Sequence, residues 1–367
     1  MKSALLATRK GVFVIEKEGS AWKPVRASFL GDNYSLATAD PATGRWYAAA
    51  DLGHFGVKLQ RSEDRGVTWT EVGAPAYPPK PDEEPEKDAW GKELPWKVLR
   101  IWALTPGHPL KPDVLWCGTI PGGLFRSADA GQTWEFVRSL WDHPQRKNWF
   151  GGGADQPGIH SIHTHPDRMH ELILAVSCGG VWATDDGGKT WNVRGQGLRA
   201  DFMPPEKQHD LDIQDAHLLA VCRDAPDAMW IQHHNGIFRS TDRGMTFADV
   251  PSMGPSVFGF AVAVHPKEPD TAWFIPAIKD ECRIPKDGKL VVTRTRDGGR
   301  TCDVLTNGLP QQHAYDIVFR HGLAVDDEGR KLVFGTTTGS VYISEDQGDS
   351  WQCVSEHLPP VHSVTWA

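Results

Sequence analysis

An eight-residue pattern that recurs along the chain limits the possible folds more than any other feature of the sequence. The pattern is Ser/Thr-x-Asp-x-Gly-x-Thr/Ser-aromatic, and its copies occupy residues 62–69, 127–134, 184–191, 240–247, 295–302 and 344–351. The fifth copy has Cys302 in the aromatic position. The aspartates of successive copies lie between 49 and 65 residues apart. This spacing is slightly longer than one four-stranded propeller blade, which takes about 40–50 residues.

Each copy predicts a hairpin turn between two strands, and we refer to the six copies as the repeat turns. An aspartate carboxylate accepts hydrogen bonds from backbone N–H groups of its own turn. The glycine two residues later permits a positive φ, and the aromatic side chain begins the next strand and packs between blades. We therefore interpret the six aspartates as structural rather than catalytic: Asp64, Asp129, Asp186, Asp242, Asp297 and Asp346.

Two further kinds of strand precede the repeat turns. Short strands open at Gly123, Gly180, Gly236 and Gly339. Earlier apolar strands end at a proline, at residues 36–41, 101–106, 162–166 and 261–266. Each repeat thus supplies an inner strand, a second strand, a third strand, the turn and an outer strand.

The two ends of the chain contain one further, incomplete repeat. Gly11 opens a strand that leads to Gly19 and Trp22, which take the glycine and aromatic positions of a repeat turn, and residues 361–367 supply one strand. The sequence therefore predicts an all-β, seven-bladed β-propeller of four-stranded blades, closed by N- and C-terminal strands that share one blade. It also predicts a single domain over residues 1–367. The alternative is six blades with a separate N-terminal hairpin.

Composition excludes several classes of partner. A formal net charge of −8 disfavours nucleic acid, and the absence of an apolar run of 18 residues argues against a membrane span. The N-terminal residues are interpreted as a strand rather than an export signal. None of the six cysteines forms a CxxC pair, which favours reduced, buried thiols. Together these features predict a cytoplasmic protein.

The repeat turns resemble those of the bacterial Asp-box (BNR-repeat) superfamily over essentially the whole chain. The strings VWATDDGGKTW, QHHNGIFRSTDRG and SEDQGDSW are similar to those of bacterial proteins described as glycosyl hydrolase-like or sialidase-like. The superfamily includes sialidases, xyloglucan-degrading enzymes, sortilin-type receptors and photosystem II assembly factors. The resemblance therefore implies a propeller fold, whereas it leaves the chemistry open, since one fold hosts many functions.

Sialidase-type chemistry is disfavoured by departures from the sialidase pattern. Sialidases have an Arg-Ile-Pro motif near the start, three arginines that bind a carboxylate, and a tyrosine nucleophile. In this chain Arg283, Ile284 and Pro285 lie in an insertion of the sixth blade, and only Tyr34 and Tyr315 fall near the expected face. Sialidases are also six-bladed.

The insertions predict where a ligand would bind. They are residues 74–97, 139–158, 196–213 and 277–288, and all fall on the face opposite the repeat turns. Long loops around a central funnel on a rigid scaffold are common ligand sites. The first insertion is acidic and proline-rich, and either a lid or a solvated loop is consistent with it.

Histidines, of which the chain has 16, are concentrated near that face. Alignment of the inner strands on their closing proline puts Arg100, His160 and Phe260 at one position, and a looser alignment adds His321. The predicted proton-transfer residues are His160, His234 and Asp316, with Asp215 in support. The predicted substrate-binding residues are Arg100, His217, His233, Lys279, Arg283, Tyr315 and His321.

Three interpretations of this polar set remain open. Imidazoles from different blades can bind a divalent metal ion. Alternatively, the set is an acid/base site in which Arg100, Lys279 and Arg283 bind an anion. In the third, the histidines are hydrogen-bonded packing residues. A glycosidase would need a carboxylate pair, drawn from Asp155, Asp215, Glu281 and Asp316.

The functional prediction is a soluble hydrolase or lyase that acts on a small polar or sugar-like anionic substrate. The alternative is a non-catalytic binding or assembly scaffold, similar to the photosystem II assembly-factor propellers, with a protein partner.

Overall fold

The computed structural model describes residues 3–80, 87, 91, 93, 95–152 and 155–367. The predicted insertion at residues 74–97 therefore lies partly outside the described residues. The strands are β1 (Ser3–Thr8), β2 (Gly11–Glu18), β3 (Ala21–Ser28), β4 (Tyr34–Ala39), β5 (Trp46–Asp51), β6 (Val57–Ser62), β7 (Thr70–Val72), β8 (Arg100–Pro106), β9 (Leu115–Ile120), β10 (Leu124–Ser127), β11 (Glu135–Phe136), β12 (Gly158–Thr164), β13 (Leu172–Ser177), β14 (Gly180–Thr184), β15 (Asn192–Arg194), β16 (Ala216–Val221), β17 (Met229–His233), β18 (Gly236–Ser240), β19 (Ala248–Asp249), β20 (Phe258–Val264), β21 (Ala272–Ala277), β22 (Val292–Thr295), β23 (Asp303–Leu305), β24 (Leu323–Val325), β25 (Leu332–Gly335), β26 (Val341–Ser344), β27 (Gln352–Ser355) and β28 (Val361–Trp366).

Helices are short in the described residues. The α-helix α1 spans Arg138–Trp141, and 3-10 helices occupy Gly53–Phe55, Pro144–Asn148, Pro205–Lys207, Leu211–Ile213 and Lys286–Gly288. None of these helices has the length and apolar character that crossing a membrane requires.

The strands form seven four-stranded antiparallel sheets. Their orders are β28-β1-β2-β3, β4-β5-β6-β7, β11-β10-β9-β8, β12-β13-β14-β15, β16-β17-β18-β19, β20-β21-β22-β23 and β24-β25-β26-β27. The protein is a seven-bladed β-propeller, as the sequence predicts. The alternative of six blades and a separate hairpin is wrong, because β28 completes the sheet of the N-terminal strands.

The sheet that combines the two chain ends is packed from apolar residues of both. Ala4 pairs with Trp366 and Leu6 with Val364, while β1 also pairs with β2 along its length. The ring of Trp22 meets that of Trp366 edge to face, with 5.5 Å between centroids. Trp22, in the aromatic position of the incomplete repeat, therefore packs against the C-terminal strand.

The chain divides into two compact units, one of residues 1–39 and 217–367 and the other of residues 40–216. In the first unit, a buried cluster combines Trp273 and Val292 of one sheet with Leu332 and Phe334 of the next. In the second unit, a cluster likewise joins Trp116 to Leu174 and Trp182. The core thus lies between successive sheets. The prediction of a single domain over residues 1–367 stays a prediction.

The repeat turns have the hydrogen bonds that the sequence predicts. In the first, the backbone N–H of Thr68 donates to Oδ1 of Asp64 at 2.8 Å, and its hydroxyl donates to Oδ2 at 2.7 Å. The hydroxyl of Ser62 accepts from the N–H of Gly66. Gly66 has a φ of 77°, and a Cβ there would lie 3.0 Å from the ring of Trp46. Glycine is therefore required both by the backbone conformation and by the packed indole.

The cysteines are all free thiols. Cys117, Cys178 and Cys222 are buried, whereas Cys282 and Cys302 are half-buried and Cys353 is exposed. The predicted burial therefore holds for three of the six. Cys302, which replaces the aromatic residue of its repeat turn, packs against an apolar cluster that contains Val250 and Met253.

Replacement of Trp366 by alanine tests the shared terminal sheet. The indole is 4% exposed and donates to the carbonyl of Ala324. We expect Trp366→Ala to lower the free energy of unfolding by about 3–5 kcal/mol, because a large buried ring is lost. Denaturant titration measures this. The control is Phe55→Ala, since Phe55 is 78% exposed; equal effects of the two variants would contradict the proposed packing.

The repeat turns predict a loss of stability in acid. The hydroxyl and backbone N–H of Thr68 lower the pKa of Asp64 to about 2, and Thr133 does the same for Asp129. The pKa of Asp297 is also about 2, owing to the backbone N–H and hydroxyl of Thr301. Since the unfolded value is about 3.9, this stabilisation is complete above about pH 4 and is lost as the pH falls towards 2.

Thermal unfolding followed from pH 7 to pH 2 measures this dependence. We expect Asp129→Asn to lower stability at pH 7 and to reduce the slope between pH 4 and pH 2, because the amide cannot replace the ionised acceptor. Asp32→Asn, at an exposed position outside the repeat turns, is the matched control. An acid slope that is the same in both variants would refute the role of the carboxylate.

Candidate functional site

Three first strands of sheets share a one-residue β-bulge near the predicted site. The pairing shifts between Ile101 and Ala103 of β8, between Ile159 and Ser161 of β12, and between Gly259 and Val262 of β20. A bulge leaves one residue unpaired and redirects side chains. The extra residues are Trp102, His160 and one of Phe260 and Ala261. The sequence alignment that placed Arg100, His160 and Phe260 at one position selected residues of the bulged segments at His160 and Phe260. In β8, however, Arg100 pairs with Ile120 and lies two residues before the bulged Trp102.

His217 is held at the start of β16 by the bulged strand β20. Its Nδ1 lies 2.6 Å from the carbonyl oxygen of Gly259, and its ring stacks on Phe260 with 4.6 Å between centroids and an interplanar angle of 16°. A carbonyl oxygen can only accept, so Nδ1 carries a proton, and in the neutral imidazole Nε2 then has the lone pair. His217 is 2% exposed, and its orientation is fixed by both contacts.

The Gly259 backbone lies close to the Ile275 carbonyl and to the Gln232 side chain, and this close packing depends on the absence of a side chain at Gly259. A Cβ at this position would lie 2.8 Å from the carbonyl oxygen of Ile275 and 3.3 Å from the amide of Gln232. Gln232, which is buried, donates to the carbonyl of Val257 at 2.9 Å. The side chain of Gln232 thus ties β17 to the segment that leads into β20, and the Gly259 carbonyl is positioned for His217.

His234 occupies a two-residue turn between β17 and β18. Paired residues His233 and Gly236 close this turn, and Nδ1 of His233 accepts from the backbone N–H of Asn235 at 3.1 Å. His233, which is fully buried, therefore caps the turn, while the half-buried His234 lies at its tip. The ring centroids of His234 and His217 are 5.5 Å apart.

Asp215 lies two residues before His217, so the two side chains share one side of the extended segment. Its Oδ1 accepts from the hydroxyl of Ser177 and the backbone N–H of Cys178, each at 3.1 Å. Asp215 is 5% exposed. Ligand-type atoms of Asp215, His217 and His234 all lie within 4.8 Å of one another. We call these three residues the Asp-His-His cluster.

Positive charge borders the same aromatic ring. The guanidinium carbons of Arg283 and Arg320 each lie 5.4 Å from the centroid of Phe260. Arg283 also forms an ion pair with Asp280 through a short contact. Phe258 stands edge to face with both His217 and His234, at 5.6 and 5.9 Å. Phe258 therefore contacts both histidines, and Phe260 contacts His217 and both arginines.

The remaining predicted residues have other contacts. His160 contacts Trp102 and Ser161 on β12, and Arg100 forms an ion pair with Asp51 at 2.9 Å. Lys279 pairs with Glu281 at 3.4 Å, and His321 bridges to Ser363. Tyr315 is 60% exposed, and Asp316 accepts from Thr338 at 2.9 Å. Their roles as catalytic or binding residues stay predictions.

The four carboxylates predicted for a glycosidase differ in their exposure to solvent. Asp155 and Glu281 are exposed, whereas Asp215 is buried. The backbone N–H of Glu281 and the nearby Lys279 lower the pKa of the Glu281 carboxyl. A general acid of a glycosidase has a raised pKa, so Glu281 does not suit that role.

Several contributors to the site were missed by sequence reasoning. Phe260 was located only as an alignment position, and Phe258, Gly259 and Arg320 were not selected. The Phe-Gly-Phe string at residues 258–260 in a strand that is otherwise aliphatic is the signal that could have pointed to them. Arg320 is adjacent to His321, which the looser alignment had selected.

Comparison with curated proteins finds similarity to xyloglucanases over part of the chain. The chain is 28% identical over 204 residues to a probable oligoxyloglucan-reducing end-specific xyloglucanase of Neosartorya fischeri, covering 51% of this chain and 21% of that protein. It is 26% identical over 266 residues to the oligoxyloglucan-reducing end-specific xyloglucanase of Emericella nidulans, and this match covers 69% of this chain and 27% of that protein. The chain thus spans about a quarter of the length of these relatives. No family model matches the chain.

Solved structures share the fold at low identity. An ancestral GH74 enzyme has a TM-score of 0.60 and 15% identity, over 91% of this chain and 40% of that one. YCF48 from Cyanidioschyzon merolae has a TM-score of 0.55 and 12% identity, over 92% of this chain and 90% of that one. YCF48 bound to D1 peptide has a TM-score of 0.54 and 11% identity, over 95% of this chain and 83% of that one. At these identities the likeness concerns the fold alone.

The tautomer of His217 is a direct test of the site geometry. We expect nitrogen-15 correlation spectra of histidine-labelled protein to show one ring in the Nδ1–H form that is absent from the His217→Gln variant. The reason is the short contact to the Gly259 carbonyl. His357→Gln, at an exposed position, should leave that signal in place. An Nε2–H signal assigned to His217 would contradict the geometry.

Proposed function

We propose that this propeller is an enzyme, a hydrolase or lyase, that acts on a small sugar-like anionic substrate beside Phe260. One observation carries the proposal: the Phe260 ring contacts the imidazole of His217 and the guanidinium groups of Arg283 and Arg320. Groups that transfer protons and groups that bind anions are therefore neighbours of a single ring. Convergence of a few polar groups on an apolar surface is characteristic of ligand sites.

The two guanidinium groups support an anionic substrate. A guanidinium is charged at all relevant pH values and binds a carboxylate or phosphate through paired N–H donors. Arg283 is 45% exposed at its side chain, so that a ligand can approach it. The anionic group of the substrate would replace Asp280 as the partner of Arg283.

The Asp-His-His cluster supports proton transfer. Imidazole titrates close to neutral pH and acts as acid or base within one cycle. In hydrolysis, one imidazole would take a proton from water while the water oxygen bonds to carbon, and the departing oxygen would receive a proton. In elimination, the imidazole would take a proton from carbon, whose electron pair forms the double bond as the C–O bond breaks.

The partial similarity to xyloglucanases supports a sugar-like substrate. Proteins named for action on xyloglucan oligosaccharides match up to 69% of this chain. The second candidate, a non-catalytic scaffold, is supported by the likeness in fold and size to YCF48, one structure of which is bound to a peptide. Catalytic turnover distinguishes the two.

A substrate screen tests the proposal directly. The purified chain is incubated with neutral xyloglucan oligosaccharides, uronate-containing oligosaccharides and sugar phosphates, and products are identified by mass spectrometry. Reaction in ¹⁸O-labelled water separates the two chemistries, since hydrolysis adds the label and elimination adds none. We expect turnover of an anionic member. Turnover of none, with retained binding of an acidic peptide, would favour the scaffold.

Substitutions assign the roles once a substrate is found. We expect His234→Gln to lower kcat by about 10²–10⁴-fold, the usual contribution of a positioned acid or base. Arg283→Gln and Arg320→Gln should raise KM by roughly 10-fold or more, since a hydrogen bond to a charged group contributes about 1.5–3 kcal/mol. Arg296→Gln, on a repeat turn of the same sheet, is the matched control. A KM that changes equally in all three arginine variants would contradict the assignment.

A further inference from the structure

The Asp-His-His cluster has the donor set of a transition-metal site. It offers two imidazole nitrogens and one carboxylate oxygen, all within 4.8 Å of one another. Ligands that bind a divalent ion at about 2.0–2.2 Å lie roughly 3–4 Å apart. A small inward movement of the side chains would therefore bring all three into the coordination sphere.

The partners behind the cluster orient it for coordination. His217 donates its Nδ1–H to the Gly259 carbonyl, which leaves Nε2 as the coordinating nitrogen. A backbone carbonyl in this position is the usual partner of a metal-bound imidazole, because it fixes both tautomer and ring orientation. Oδ1 of Asp215 accepts hydrogen bonds from Ser177 and Cys178, which hold the carboxylate in place beside the two imidazoles.

The cluster is largely shielded from solvent. Asp215 and His217 are 5% and 2% exposed, and coordination of a metal ion is one of the ways in which proteins accommodate buried ionisable groups. Phe258 and Phe260 form an apolar wall against the two imidazoles, which limits competition from water. His234 is half-buried on a turn, and this exposed side would leave coordination positions for a substrate or water.

We propose that Asp215, His217 and His234 bind one divalent transition-metal ion of the Zn²⁺, Mn²⁺ and Fe²⁺ class. Two imidazoles with one carboxylate suit these ions, whereas Mg²⁺ and Ca²⁺ prefer oxygen ligands. Beside Arg283 and Arg320, the ion acts as a Lewis acid towards the anionic group of the substrate or a bound water. This catalytic role rests on the proposed function, and in the metal-bound protein a water on the ion would take the place of the coordinating imidazoles in proton transfer; the binding itself does not rest on that function.

Metal titration of the chelator-treated protein tests the site. The full chain is stripped, dialysed and titrated separately with Zn²⁺, Mn²⁺ and Co²⁺, with Mg²⁺ and Ca²⁺ as controls. We expect one equivalent of Zn²⁺ per chain by elemental analysis. A visible Co²⁺ spectrum should report nitrogen and oxygen ligands. Binding of Mg²⁺ or Ca²⁺ in place of the transition ions would overturn the inference.

Variants locate the bound ion. His234→Gln and Asp215→Asn should each weaken Zn²⁺ binding by about 100-fold or more, whereas His357→Gln, which removes an exposed imidazole, should bind as the parent does. His234 lies on a half-buried turn, so its variant is expected to keep the fold, which thermal unfolding checks. Undiminished binding in folded His234→Gln would overturn the inference.

Different experimental outcomes would refute the proposed metal site and the proposed enzyme. Full turnover by protein that elemental analysis shows to be metal-free would overturn the catalytic role of the ion and leave the proposed enzyme intact, whereas failure of the chelator-treated protein to bind any of the transition ions would overturn the metal site itself. One bound equivalent of metal that is lost in His234→Gln, together with no turnover of any substrate in the panel, would support the metal site and refute the proposed enzyme.

Discussion

The hydrogen bonds that each repeat-turn aspartate accepts from its own turn are the interaction on which the sheets depend. In the turn after β6, the carboxylate of Asp64 binds both the N–H and the hydroxyl of Thr68, and equivalent bonds recur at Asp129, Asp186, Asp242, Asp297 and Asp346. A turn that satisfies its own backbone fixes where the third strand ends and the fourth begins.

The candidate site arises where this regularity is broken. The bulge in β20 lies at the Gly259–Phe260 segment, and it is there that a backbone carbonyl meets His217. The same residues provide an aromatic ring for Arg283 and Arg320. A bulge redirects side chains while the rest of the strand stays paired. The irregularity of the sheet is thus confined to one residue, and the neighbouring carbonyl fixes the tautomer and orientation of His217.

The histidines of the chain do not all have the same role, and their hydrogen bonds show this. Nδ1 of His108, His165 and His265 accepts from the backbone N–H two residues later, which makes these residues turn caps. His233 does the same for Asn235 and so supports its neighbour His234. Nδ1 of His217 instead faces a carbonyl oxygen, as Nδ1 of His209 and His362 also does. What distinguishes His217 is that this contact is combined with the nearby Asp215 and His234.

Seven sheets and the repeat turns could be predicted from the sequence, because each depends on residues that are close along the chain or on period-two strand patterns. The shared terminal sheet could be predicted because the N-terminal repeat is incomplete and residues 361–367 supply one strand. Asp215, His217 and His234 could be selected as candidates from their positions beside strands. Their convergence, the contact of Gly259 with His217 and the approach of Arg320 to Phe260 were decided by tertiary structure. The contacts of Gly259 with His217 and of Arg320 with Phe260 join residues 40 or more positions apart, and their geometry depends on a one-residue bulge that no local pattern specifies.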